Sequence, residues 1–484
     1  MTDTTTTPEP SRSDPVPPDL GRSWWLRDAL AVPELAGDPA PPLSADTTAD
    51  VMVVGGGYTG LWTAWFLKEL DPGVDVVVLE QDICGGGPSG RNGGFVDPFW
   101  GDVPELCSWF GDAAALRLCQ ESEASVRGIG AFCGDHAIDA WFRRDGTLGV
   151  ATSEAQIGRW ADQVITMDRL GLSERIRVLS RDEVRERIDS PVFHGGVLSS
   201  DSATVHPARL ARGLRKVLQE RGVRIFEGTP VSRFGTGRPV IAEIPGGTVR
   251  ADAAVLAINA WAQHWRRFRR AITVRGSYMI MTAPAPDRLE TLGWTDGVSV
   301  SDLRGAIHYV RTTPDGRIAF GIGGMQPNMA RHIDPRYAYD EAAIRVAIED
   351  LHRMFPTFAD VPIEAGWGGP IDVSGNHLPF FGTFETGTVH FGLGYTGNGV
   401  GPAHLGGQIL ANRALGRNAQ VLELPIVDLE PRRFPPEPIR SPGVLLANHA
   451  IVKRDRAQDA GEEPNPFTDF LAKLPRRLGY NLGP

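Results

Sequence analysis

The stretch from Asp50 to Glu80 constrains the fold of this chain more than any other. Asp50-Val51-Met52-Val53-Val54 is a short apolar run of the kind that forms a strand buried on both faces. It leads directly into Gly55-Gly56-Gly57-Tyr58-Thr59-Gly60, after which Tyr58 to Leu70 reads as a largely apolar helix. A second buried strand, Val76-Val77-Val78-Leu79, ends at Glu80. The whole is a βαβ unit carrying G-x-G-x-x-G, and each part has a chemical reason. Gly55 permits a tight turn, Gly57 lets the backbone approach a pyrophosphate, and the helix start offers N–H groups to the anion. Glu80, about 20 residues beyond the last glycine, can accept ribose hydroxyls. A carboxylate there disfavours a 2′-phosphate, which leaves FAD and NAD as dinucleotides.

The glycine pattern alone would be weak, because the chain repeats it twice. Gly85-Gly86-Gly87-Pro88-Ser89-Gly90 matches it but has no strand leading in. Gly392-Leu393-Gly394-Tyr395-Thr396-Gly397 follows a plausible strand, Thr388 to Phe391, and precedes a helix, yet no later strand supplies a terminal acid. Neither reads as a second Rossmann unit. Both read as tight loops whose glycines let the backbone come close to a flat ligand.

Composition removes several function classes. A net charge of −10 argues against a nucleic-acid binder, which needs a basic surface. The one dense basic run, His264 to Arg270, reads as a solvated helix face. Four cysteines (Cys84, Cys107, Cys119, Cys133) lack metal-ligand spacing, so no metal and no disulfide framework is expected. Neither a signal-peptide pattern nor a long apolar stretch occurs, so no membrane span and a cytoplasmic location are expected.

Along the chain, βα alternation resumes at 207–258, where Pro207 opens a helix through Gln219 and strands follow at 223–226 and 253–258. Residues 272–323 instead look antiparallel, with Ala306 to Gly321 as a hairpin turning at Pro314-Asp315-Gly316. Residues 153–170 and 340–354 have helical spacing. Residues 1–22, rich in Thr and Pro, are expected to be disordered until the lead-in at Ser23-Trp24-Trp25-Leu26. Residues 416–484, with repeated prolines, read as an extended C-terminal arm ending in a short helix around Thr468–Leu474.

Ser89-Gly90-Arg91-Asn92-Gly93-Gly94, taken with residues 55–60 and Gly394-Tyr395-Thr396-Gly397-Asn398-Gly399, resembles the D-amino-acid oxidase/glycine oxidase-like (DAO) family of FAD oxidoreductases. Within it, the γ-glutamylputrescine oxidase and aminophosphonate oxidoreductase subgroups look nearest. The resemblance covers about residues 45–415. It implies an α/β fold in which a Rossmann-like FAD-binding domain of glutathione-reductase type (45–135, 191–271 and 372–415) is interleaved with a mixed or antiparallel α+β substrate domain (136–190 and 272–371). The segment from Gly87 through Ser89, Gly90, Arg91, Asn92, Gly93 and Gly94 would run past the pyrophosphate and along the isoalloxazine. Gly394, Gly397, Asn398, Gly399 and Val400 would lie at a helix N-terminus near the flavin's pyrimidine end. Val231 resembles the residue that meets the adenine, and Asn259-Ala260 the strand end crossing near the pyrophosphate. His206-Pro207 reads as a helix start rather than a catalytic base. No cysteine stands where relatives attach flavin, so noncovalent FAD is expected.

On the substrate side, Ile307, Tyr309 and Arg311 share one face of the hairpin strand, with His308 and Val310 on the other. The resemblance makes Tyr309 and Arg311 the first candidates for catalysis and substrate contact, with Arg275 and Tyr278 on the neighbouring strand as second ones. Relatives acting on α-amino acids carry an Arg before the flavin-contacting Pro; here Gly366-Trp367-Gly368-Gly369-Pro370-Ile371-Asp372 has none. An amine or aminophosphonate thereby gains on a simple amino acid, although Arg275 or Arg311 could still bind an anion. The four lysines (Lys68, Lys216, Lys453, Lys473) all fall away from the flavin segments. The leading expectation is oxidation of a small amine, with O2 or another electron acceptor. Open alternatives are a dehydrogenase or hydroxy-acid oxidase using a quinone or protein acceptor, and a flavin-binding protein without redox turnover.

Overall fold

The computed structural model describes residues 16–38, 40–325 and 333–480. Its architecture follows from the burial of two sheets. In the first, strand Thr47–Val54 lies parallel between Val76–Leu79 and Gly247–Leu256. Arg224–Phe226 extends one side in parallel, and Val389–Leu393 the other, where Phe380–Thr383 then pairs antiparallel. The continuous apolar runs are explained by what covers each face. Val51, Val53, Val76 and Val78 pack against helix Tyr58–Leu70 and its neighbours, while Met52, Val54, Val77 and Leu79 pack against the hairpin strand Val240–Ile244. Successive side chains point to opposite faces, so a strand covered on both sides must be apolar throughout.

The second sheet has the order 363–374, 272–282, 318–325, 308–312, 299–302, 147–150, 196–199, 176–179. All its pairs are antiparallel except 299–302 with 147–150. Helix Glu341–Met354 lays Ile344, Ala347, Ile348 and Leu351 on this sheet. Strand Gly196–Ser199 belongs here, so the expected boundary at 191 moves towards 200: the strand pairs with 147–150 and 176–179 rather than joining the nucleotide half. Helix Trp24–Ala31 fits between the two halves, with Trp25 and Leu26 against Ala208, Met279 and Trp367.

Three further expectations are corrected. The arm at 416–484 is less extended than expected: Arg440–Asp459 is a helix that was not expected, while the helix expected around Thr468–Leu474 is present as Pro466–Arg477. Pro442 misled: like Pro466, it stands in a first turn, where the missing N–H has no partner to lose. Of the segment expected to be disordered, residues 1–15 lie outside the described residues, but 16–22 are packed. There Tyr339 Oη donates to the Pro17 carbonyl at 2.5 Å, and Arg22 pairs with Asp82. The basic run is not a helix face; it is a series of turns after a 3-10 helix (Asn259–His264), held because Trp265 and Phe268 pack into the core. Among the described residues, no helix is long and apolar enough to cross a membrane.

Candidate functional site

Of the helices that begin on a glycine, two start beside the cavities: Tyr58–Leu70 on Gly57 and Val400–Ala414 on Gly399. Four other helices begin under a capping oxygen from Ser23, Ser180, Asp340 or Asn465. A glycine cap brings no oxygen of its own to the first N–H groups, which leaves the positive end of the helix dipole for a neighbouring loop or a ligand. The start at Gly57 lines a cavity of about 740 Å³. It is lined by Gly55, Gly57, Glu80, Ser89, Val231 and Asn259, among others. It continues into a second cavity of about 360 Å³ lined by Asn92, Gly93, Arg275, Ser277, Tyr309 and Asn398. Tyr58, Thr59, Ser89, Arg91, Asn259 and Tyr395 line both.

The first glycine loop is set by close backbone packing. Gly55 has φ +112°, and a Cβ there would come within 2.3 Å of the Ala257 carbonyl oxygen. A Cβ on Gly60 would meet the Gly55 carbonyl oxygen at 2.0 Å. The loop at 85–90 repeats that relation, since a Cβ on Gly90 would meet the Gly85 carbonyl oxygen at 2.1 Å. The second glycine pattern is thus the same turn, used to hold a loop. Ser89 ties the two together, its Oγ accepting the Tyr58 N–H at 2.8 Å. Glu80 accepts N–H groups from Gly56 at 2.7 Å and Asp82 at 2.8 Å. Burial raises its pKa, against the pull of those two bonds.

Residues 89–94 are braced from several sides. Arg91 donates to the carbonyls of Gly86 (3.0 Å) and Gly368 (3.1 Å), and the Asn92 side chain bridges Pro88, Ser89 and Gly94. Asn259, at φ +43°, donates to Asp372 at 2.9 Å. Asp372 also accepts the Gly394 N–H at 2.5 Å, so it joins the strand end at 259 to the loop at 394. Its burial pushes the pKa up to about 7. Sequence reasoning quoted Asp372 only for the arginine its segment lacks. It missed this role, as it missed Ser277 and Asp97 in the cavity wall.

Residues 50–413 match the family described as DAO: FAD dependent oxidoreductase. The chain belongs to this family. It is 30% identical over 407 residues to the probable oxidoreductase OrdL of Rhizobium meliloti, spanning 83% of this chain and 90% of that one. It is 29% identical to the gamma-glutamylputrescine oxidoreductase of Escherichia coli, covering 78% of this chain and 86% of the relative. The fold is shared with glycine oxidase from Geobacillus kaustophilus, with a TM-score of 0.63, 20% identity, and coverage of 77% and 96%.

FAD is therefore the dinucleotide of this DAO-family chain, and the site fits it. The helix starts at Gly57 and Gly399, the glycine cradle at 55–57 and the Glu80 carboxylate are groups that would hold a pyrophosphate and a ribose. Of the expected flavin contacts, Gly55, Gly57, Tyr58, Thr59, Glu80, Gly87, Ser89, Arg91, Asn92, Gly93, Val231, Asn259, Gly397, Asn398, Gly399 and Val400 line the two cavities. Gly60, Gly90, Gly94, Ala260 and Gly394 are not among the lining residues. The four glycines fit closely against backbone or side chains, and Ala260 packs with Val274 and Tyr337. Their part is to shape the loops.

The substrate candidates divide sharply. Tyr309 lines the cavity and shares a 2.7 Å hydrogen bond with Ser277. Arg311, on the same strand face, does not line it. Its guanidinium donates to the Val205 carbonyl at 2.5 Å and, more weakly, to Gly94 at 3.5 Å, behind the flavin loop. Tyr278 points to the other side of its strand, fully buried, and donates to the Arg336 carbonyl. Arg275 does line the cavity. His206 caps the helix at Pro207 by accepting the Arg209 N–H, as expected of a helix start.

Proposed function

We propose that this protein oxidises the C–N bond of a small amine. The observation that carries the reading is the shared lining of the two cavities: Tyr58, Thr59, Pro88, Ser89, Arg91, Asn259 and Tyr395 line both, so the substrate end adjoins the flavin segments. When bound, FAD supplies the acceptor, at N5, for the hydride of the C–H bond next to nitrogen. The chain's own residues orient the amine, exclude water and stabilise charge. Tyr309 and Ser277 form a hydroxyl pair that can hydrogen-bond a substrate nitrogen. Burial pushes the Tyr309 phenol up to about 12, so it is a neutral hydrogen-bonding group at pH 7 and not a base. The N–H groups at the start of the Val400 helix would favour negative charge on a flavin bound beside them.

Loss of the hydride and of the nitrogen's proton leaves an imine, which water hydrolyses to a carbonyl compound and an amine or ammonia. Dioxygen takes up the two electrons and becomes hydrogen peroxide. The named function of the Escherichia coli relative and the absence of an arginine at 366–372 both favour an amine over a simple α-amino acid. The test is anaerobic mixing of the FAD-loaded protein with a panel of amines, amino acids, aminophosphonates and hydroxy acids. Bleaching of the flavin by amines is expected. Bleaching by a hydroxy acid and by no amine would overturn the reading.

A further inference from the structure

We infer that Asp97 holds an ammonium group at the substrate end of the cavity, so that the amine oxidised here carries a second, non-reacting cationic nitrogen. The inference rests on the amine-oxidation reading and specifies its substrate class. Asp97 follows strand Phe95–Val96; Phe95 and Asp97 both line the second cavity, while Val96 between them packs in the core. Alternation along the extended chain thus puts the ring and the carboxylate on one face. Phe95 meets the Tyr309 ring edge-on at 5.8 Å. Asp97 stands two residues further, roughly 6–7 Å along the chain. It is thereby set apart from the Tyr309–Ser277 hydroxyl pair, which leaves it for a nitrogen other than the reacting one.

What holds the Asp97 carboxylate differs from what holds other acids of the interior. Glu227 meets Arg212 and Arg215, Asp302 meets His308, and Asp372 accepts N–H groups from Gly394 and Asn259. Asp97 has hydroxyls instead: Thr147 Oγ1 donates to its Oδ1 at 3.0 Å, and the Ser202 side chain adds a second bond. Burial raises its pKa against those two bonds, and no cation among the described residues pulls it down. An enclosed carboxylate without a counter-charge is costly when ionised, and a cationic ligand removes that cost. A metal ion is a poor candidate, because among the described residues no three His, Cys, Asp or Glu side chains gather as ligands. Arg275 lines the same cavity, but burial alone moves its pKa, so the two charges do not meet. A ring beside a carboxylate suits an alkylammonium, whose methylenes pack on the ring while its N–H groups meet the carboxylate.

The experiment is a titration of the FAD-loaded protein with tert-butylammonium and with tert-butanol, followed by the flavin absorption spectrum. The ammonium has no C–H bond next to its nitrogen, so no turnover is needed and the result is independent of the amine panel. Saturable perturbation by the ammonium is expected, at least roughly tenfold tighter than by the alcohol. Asp97→Asn should weaken the ammonium roughly 30-fold and leave the alcohol within about twofold. Asp97→Glu should recover part of the loss, with FAD per chain unchanged in both variants. Among amines that bleach the flavin, diaminobutane should act at roughly tenfold lower concentration than butylamine, and Asp97→Asn should erase that preference. No saturable perturbation of the parent protein, equal ammonium affinity in Asp97→Asn, or loss of FAD in both variants would overturn the assignment, whatever the panel shows. Bleaching by butylamine as readily as by diaminobutane would overturn the second nitrogen.

Discussion

Gly60 and Arg275 belong to opposite ends of one site and serve it by opposite means. Around Gly60 the chain works through what it lacks: no Cβ stands between the first helical turn and the Gly55 carbonyl, and no side chain caps the helix. Around Arg275 it works through a side chain held in a strand, whose Nε and Nη2 have no hydrogen-bond partner among the described residues. The nucleotide end is thus a property of the backbone, whereas the substrate end depends on which neighbours a side chain has. The largest expected effect tests the first half of this contrast. Gly60→Val puts a branched side chain where a carbonyl oxygen is 2.0 Å from the Cβ position, so the turn must open. FAD per chain, read by absorbance, should fall at least about tenfold. Gly443→Ala, outside both cavities and with nothing within 4 Å of the new Cβ, should leave it unchanged. Equal FAD content in the two variants would break the idea that backbone closeness makes the cradle.

Asp372 joins the two ends, and its titration can be followed. Its carboxyl is raised to about 7, first by burial, with the Gly394 and Asn259 bonds pulling the other way. A raised acid holds its proton more tightly folded than unfolded. Stability is therefore full below the unfolded value near pH 4 and falls as pH rises towards 7. Relative to Asp372→Asn, the parent protein should lose up to about 4 kcal/mol between pH 4 and 7.5 in urea unfolding. A pH-independent difference between the two would show that Asp372 is already ionised across that range.

Arg311 offers the comparison nearest to Arg275, since both are buried arginines of one sheet. Arg311→Met removes the donor to the Val205 and Gly94 carbonyls and should lower stability by about 2–3 kcal/mol. It should also loosen FAD, because Gly94 ends the flavin loop, while Arg275→Met leaves FAD per chain unchanged. An equal loss of FAD in the two variants would erase the distinction between them.

These two arginines also show what could be read in the sequence. The βαβ unit was legible in full because a buried strand must be apolar and a close turn must be glycine, and neither rule depends on distant residues. The loops at 89–94 and 394–399 were legible as close backbone, and the hairpin at 314–316 from its turn residues. Arg275 and Arg311 could not be ranked by the same means. Strand alternation placed Arg311 on the face of Tyr309 correctly. That Val205 and Gly94 would take up its guanidinium depends on contacts more than 100 residues apart in sequence. Asp372 was hidden for a similar reason, because its partners Asn259 and Gly394 come from other elements. The helix at Arg440–Asp459 was hidden by Pro442, which falls in its permissive first turn, whereas the one at Pro466–Arg477 was expected around Thr468–Leu474.

The smallest effect is the most diagnostic, and it concerns Arg275 without any ligand. Burial alone pushes its pKa down to about 10. For a base, a folded value below the unfolded one means that the charged form is disfavoured by folding. That cost is present through neutral pH and is relieved only as pH rises beyond about 10. Arg275→Met replaces a buried unpaired cation with an apolar chain of similar reach, so in urea unfolding the variant should be as stable as the parent or more so, by about 1 kcal/mol. Residues kept for function are commonly held at a cost to stability, and that outcome would separate Arg275 from every arginine here that holds the fold together. A variant less stable than the parent would place Arg275 beside Arg311 as a structural residue.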